Sequence, residues 1–231
     1  MHAPRVLFTN LIGLLTGLML MTFSVAVLAQ SGSSWRFNVL LDGKPVGEHL
    51  FTVTPQDGLI QVQSEANMQV NFLFFNAYSY QHQARELWQS GCLLSIDAAT
   101  SNNNKQIEVK GRLDAGNFLV SASSTPGDTA MPACVKSFAY WDSTFLKENS
   151  LLDPQTGKLV AIKVEPGAWE TIDVAGREWL AQRFTLTGEK LHIDLWYGPA
   201  GEWLRLSSQL PSGRQVDYKL IEGGGWNSLQ G

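Results

Sequence analysis

From Trp35 to Leu220 apolar side chains return at every second position far more often than at helical spacing. Period two is what a strand with one buried face requires, because successive side chains point to opposite sides of the pleat. Trp35, Phe37, Val39 and Leu41 share one face, Asp42-Gly43-Lys44-Pro45-Val46-Gly47 reads as a turn, and the chain returns through Phe51 and Val53 to Asp57-Gly58. Ile60, Val62, Ser64, Ala66 and Met68 then face one way while Gln61, Gln63, Glu65 and Asn67 face water. Each turn carries Gly, Pro or Asp, which supply the backbone angles of a tight reversal.

Towards the C-terminus, Phe184 and Leu186 lead to Thr187-Gly188-Glu189. Leu191, Ile193, Leu195 and Tyr197 follow, then Gly198-Pro199-Ala200-Gly201, then Leu204 and Leu206, then Pro211-Ser212-Gly213 before Val216, Tyr218 and Leu220. This predicts an antiparallel meander of four strands. The one predicted helix is short, Ser143 to about Asn149, with Asp142 as its N-cap and Asp153-Pro154 beyond its end. Roughly ten strands with one apolar face must curl over something to bury it. The expected fold is therefore all-β, a large antiparallel curled sheet or open barrel with one short helix. It forms a single domain over 30–222, with a flexible tail from Gly223-Gly224-Gly225 to residue 231.

One segment breaks the alternation. Val70-Asn71-Phe72-Leu73-Phe74-Phe75 is apolar on both faces, so it is covered twice or lines a cavity on one side. Phe72 and Phe74, which share a face, are the first candidates for ligand contact. Tyr140-Trp141-Asp142 and Asp194-Leu195-Trp196-Tyr197 supply the others. On an extended chain only one of two adjacent rings joins the core, which leaves Trp196 beside Asp194 on the outer face and in need of a cover. Trp141 and Trp196 are thus candidates for contact with a ligand or another protein, against the alternative that their rings seal the ends of the barrel.

Composition sets the address. Met1 to Ala29 carries one strong base, Arg5, then an apolar run from Leu11 to Leu28 that closes on Val27-Leu28-Ala29, the pattern of a cleavable secretory signal. A retained membrane anchor is the rival, because the run is near the lower length for spanning a bilayer. Gln30-Ser31-Gly32-Ser33-Ser34 offers no cysteine for lipid attachment, so the mature protein is expected in the periplasm or outside the cell, without a stable membrane anchor. Cleavage removes one of 17 bases and none of 21 acids, taking the formal net charge from −4 to −5. Mild acidity with no basic run argues against nucleic acid as a partner. Both cysteines, Cys92 and Cys134, lie in the exported part and are expected to pair, closing a loop worth roughly 4 kcal/mol in the chain-entropy model. A catalytic thiol is the alternative reading.

No catalytic motif stands out. The mature histidines, His49, His82 and His192, have no metal-ligand spacing, and no serine sits in a nucleophile elbow. No cofactor and no metal are expected. Residues assembled from distant strands leave no local signature, so a hydrolase with dispersed groups stays open.

Asp42-Gly43 followed by Gly47-Glu48-His49, the Ala139-Tyr140-Trp141 triplet, Leu152-Asp153 with Thr156-Gly157, the Asp194 to Tyr197 run, Gly213 and Tyr218 together resemble an exported bacterial family defined as a domain of unknown function, the 6134 type. The resemblance spans nearly the whole mature chain and transfers no catalytic residues. The layout is also similar to exported curled sheets that carry lipoproteins, an analogy of architecture alone. The expected role is non-catalytic binding of an apolar or lipid-like small molecule on the concave face. The alternatives are an envelope protein interaction module and the dispersed hydrolase.

Overall fold

The computed structural model describes residues 32–72 and 75–224, with side chains described for all of these except 71–77 and 224. The predicted signal segment lies outside the described residues. Eight strands come first: β1 (Ser33–Leu41), β2 (Lys44–Gln56), β3 (Leu59–Phe72), β4 (Phe75–Gln89), β5 (Cys92–Asn102), β6 (Lys105–Asp114), β7 (Asn117–Ala122) and β8 (Thr125–Pro132). A 3-10 turn (Ser143–Lys147) and two short strands, β9 (Ser150–Leu152) and β10 (Leu159–Ala161), follow. The chain ends with β11 (Lys163–Val174), β12 (Arg177–Gly188), β13 (Leu191–Tyr197), β14 (Trp203–Gln209) and β15 (Gln215–Gly224).

Thirteen strands make one antiparallel sheet in the order β11-β12-β13-β14-β15-β1-β2-β3-β4-β5-β6-β7-β8, while β9 and β10 pair with each other. Two meanders are thus joined where the last strand pairs with the first, and the sheet stays open, with β8 and β11 as its edges. Asp57-Gly58 makes the reversal its sequence predicts, while the turn read over Asp42 to Gly47 is tighter than expected, Asp42-Gly43 turning alone and Lys44 starting β2; both residues of each pair adopt positive φ, the two-residue turn whose twist matches the flanking strands.

The sheet curls around its own connection. Residues 133–162 run between the two edges and put Val135, Ala139, Phe145, Leu151 and Leu152 into the same core as Trp35, Phe37, Trp88 and Trp203 from the strands. We refer to this segment as the plug. It is pinned by the Leu93 N–H donating to the Val135 carbonyl (3.0 Å), by Tyr197 Oη donating to the Tyr140 carbonyl (2.8 Å), and by a disulfide between Cys92 and Cys134. At Gly157 the plug turns with φ 71° against β6 and β7, where a Cβ would meet that of Ala122 at 3.0 Å. A side chain there would meet both the left-handed backbone and the sheet.

Three expectations change. The helix is a single 3-10 turn ending at Lys147, capped as predicted by Asp142, which accepts from the Thr144 N–H at 3.0 Å. Gly223 and Gly224, read as the start of a tail, pair with Trp35 and Ser34 and so belong to β15. The sheet also has more strands than the alternation suggested. Edge strand β8 buries only Met131 of its eight residues, so it carries almost no apolar period to read.

Candidate binding site

The register aligns inner-face residues into rows across the sheet. One row runs Val62, Glu86, Ile96 and Gly111; another runs His49, Ala66, His82 and Thr100; a further one runs Gly47, Met68, Tyr80 and Asn102. The plug covers the first. Glu86 is buried there and accepts from Trp88 Nε1 at 2.9 Å and from Ser137 of the plug, while Trp141 meets Trp88 edge-on with ring centroids 5.7 Å apart. Burial pushes the Glu86 carboxyl up, and the two hydrogen bonds partly offset this.

Beyond the histidine row the cover thins. β3 and β4 are the longest strands among the described residues, and they outrun their neighbours. The β2 pairing stops at Met68 and the β5 pairing at Tyr80, whereas Val70 and Tyr78 pair only with each other. Met68, Val70, Tyr78 and Tyr80 on the inner face are half-buried, while Val62, Ala84, Glu86 and Trp88 further along the same two strands are buried. The inner face is less completely covered along this part of β3 and β4.

A polar floor separates the open end from the core. His49 lies between Ser64 (Nε2 to Oγ, 2.7 Å) and Tyr218 (Nδ1 to Oη, 3.2 Å) and stacks on Phe51 at 4.0 Å. His82 Nδ1 meets Thr100 Oγ1 at 2.9 Å. Burial holds both imidazoles neutral, lowering His49 to about 3 with help from His82, and His82 to about 4 despite the opposing charge of Asp153. Burial likewise pushes the phenols of Tyr80, Tyr140 and Tyr218 up. The floor therefore offers uncharged donors and acceptors beneath an apolar and aromatic wall.

Chemically, the Ser64–His49 contact has the spacing of a nucleophile and its base. A base serves best with a pKa near the working pH, however, and His49 is held far below that range. Its other nitrogen meets a phenol, where the familiar triads place a carboxylate. The arrangement suits hydrogen bonding better than proton abstraction. Among the described residues no group of three His, Cys, Asp or Glu converges as a metal site, and no helix is long and apolar enough to cross a membrane.

A family model for the domain of unknown function DUF6134 matches residues 37–221, both meanders and the plug between them. The chain belongs to the DUF6134 family. No curated protein matches the sequence. Among solved structures, the DUF6134 chain is similar to a beta-barrel-like protein of the domain of unknown function DUF1849 from Brucella abortus. The TM-score is 0.62 at 10% identity, covering 85% of this chain and 98% of that one. The likeness is one of fold.

Within this DUF6134 fold the residues singled out by sequence go to different places. Phe74 lies outside the described residues, and Phe72 is placed in β3 by its backbone alone. Trp141 is half-buried against Trp88, and its indole N–H is buried without an acceptor. Trp196 stands on the outer face of β13, as alternation requires, and its cover comes from the protein itself. Glu170 of β11 accepts its N–H at 2.6 Å, and the Arg205 guanidinium lies 4.7 Å from its ring centre. His192 is exposed, 3.9 Å from Asp194, whose carboxylate accepts from Thr185 Oγ1 at 2.5 Å. The floor histidines did not stand out in the sequence. The available signal was their parity, since His49 shares a face with Phe51 and Val53, and His82 shares one with Ala84.

Proposed function

We propose that this DUF6134 protein is an exported, periplasmic binding protein that takes an apolar or lipid-like ligand, without chemistry, into the open end of its curled sheet. The observation that supports this reading is the ribbon of Met68, Val70, Tyr78 and Tyr80, half-buried beyond the last row the plug covers. Apolar surface of this kind gains by being covered. The neutral floor of His49, His82, Thr100 and Tyr218 would receive the polar part of an amphiphile. Phe72 and Phe74 stay the candidates that the sequence supplies for its apolar end.

Native mass spectrometry of the protein purified from its own envelope tests the reading. The wild type is expected to carry a lipid-like mass, and Met68→Gln to lose it while keeping its circular dichroism spectrum. Val62→Gln, on the same face under the plug, is expected to unfold the domain. An empty wild-type protein would end the proposal.

One observation favours an interaction module as the second reading. Trp169 and Leu180 are diagonal neighbours on one face of the β11–β12 hairpin and are 48% and 53% exposed. If that face docks an envelope protein, a partner recovered by cross-linking should be lost with Trp169→Ser and kept with Met68→Gln.

A further inference from the structure

Four of the five tyrosines of the chain, Tyr78, Tyr80, Tyr140 and Tyr218, are half-buried, whereas Tyr197 belongs to the core. One register row runs Tyr218, Val39, Gly47, Met68 and Tyr80 across β15, β1, β2, β3 and β4, so two phenols flank a stretch whose middle strand supplies no side chain. Tyr78 is the next inner position along β4. The plug adds Tyr140, whose ring lies 5.3 Å from that of Trp203. Trp203 in turn lies 4.3 Å from Phe37, and Phe37 5.9 Å from Tyr218, so core rings hold the two phenols from behind.

The plug also brings a charge to this group. Asp153 is half-buried and fixed in its own turn, where the Gln155 N–H (2.8 Å) and the Thr156 hydroxyl (2.7 Å) donate to its two oxygens. Both donors are uncharged, and no base among the described residues forms an ion pair with it. Its negative charge reaches Tyr80 and His82 of β4 and Tyr140 of the plug, and no lysine or arginine is among the charges acting on those three. Lys105, the base at the far end of the row, is exposed two strands beyond Tyr80. Ring faces attract a cation through their quadrupole, and a carboxylate in a partly desolvated place attracts it more strongly than in water. An anionic head would meet repulsion from the same carboxylate, and a neutral one would leave its charge unpaired.

We propose that the ligand carries an ammonium group, held among Tyr80, Tyr140 and Tyr218 beside Asp153, with its alkyl chain along Met68 and Val70; this rests on the apolar binding proposed above. Tetradecyltrimethylammonium, tetradecyl maltoside and tetradecyl sulfate share one chain and differ in head charge. Each is titrated by calorimetry into the mature protein below its micelle concentration. The ammonium should bind at least about tenfold more tightly than the sulfate. Asp153→Asn, which keeps an oxygen for the Gln155 N–H, should bring those two within about threefold of each other and leave the maltoside unchanged. If that variant fails to fold, Tyr80→Leu should weaken the ammonium about fivefold relative to the maltoside. Equal affinity for the three heads, tighter binding of the sulfate, or an ammonium preference that survives both substitutions overturns the proposal and leaves apolar binding standing. Binding of none of the three removes both.

Discussion

Strand β4 meets two different surroundings along one face. At its plugged end it presents Glu86 and Trp88 to Ser137 and Trp141. At its other end it presents Tyr78 and Tyr80, half-buried, beside His82. The alternation that makes the strand is the same at both ends. What differs is whether a second layer lies over it, and that layer comes from residues 133–162. The plugged end should therefore respond to substitution as a core does, and the open end as a binding surface does.

The sharpest way to break this comparison is to hollow the plug. Phe145 is completely buried, so Phe145→Ala is expected to cost about 3–5 kcal/mol in urea unfolding. A loss below about 1 kcal/mol would mean the plug is not part of the core. Next comes the tether between plug and sheet. Reducing the Cys92–Cys134 bond should cost about 2–4 kcal/mol, seen as a drop of about 2–4 °C in Tm for each kcal/mol. Titration of two free thiols in the protein purified without reductant would remove the bond from the account.

Acid probes the floor between the two ends. Because the folded pKa values of His49 and His82 lie at about 3 and about 4, below the ordinary histidine value, the unfolded chain binds protons first as pH falls. The stability that these histidines contribute is complete above about pH 6.5 and is lost progressively on acidification towards their folded values, by about 1–2 kcal/mol for each near pH 5. Glu86 acts with the opposite sign, its raised carboxyl pKa favouring protonation in the folded state. Melting curves from pH 7 to about 4.5 should show the histidine loss, and His82→Asn should remove about half of it. A flat profile would mean that these imidazoles reach water. The smallest effect belongs to the open end, where Met68→Ala should change stability by less than about 1 kcal/mol. A cost like that of Phe145→Ala would show that this end is core as well.

Much of the fold was legible because it is written locally. Alternation placed Ile60 to Met68 on the inner face and Gln61 to Asn67 on the outer one, and the register confirms both. Asp42-Gly43 and Asp57-Gly58 specify their own turns. Asp142 caps the turn it precedes, and the two cysteines meet. The candidate site was less legible. Trp196 was correctly put on the outer face, but its cover, Glu170, lies 26 residues away on a strand that pairs with neither β13 nor β14.

The sequence by itself determined which side of each strand is apolar and where each strand turns back, because a pleat of period two and a turn of two residues are set by neighbours in the chain. It did not determine which parts of the inner face are covered. That was decided when β15 paired with β1, joining the two meanders into a sheet that curls over residues 133–162. One pairing between the ends of the chain brings His49 to Tyr218, 169 residues apart. Burial and hydrogen bonding depend on such contacts across the whole fold, and no local pattern of residues encodes them.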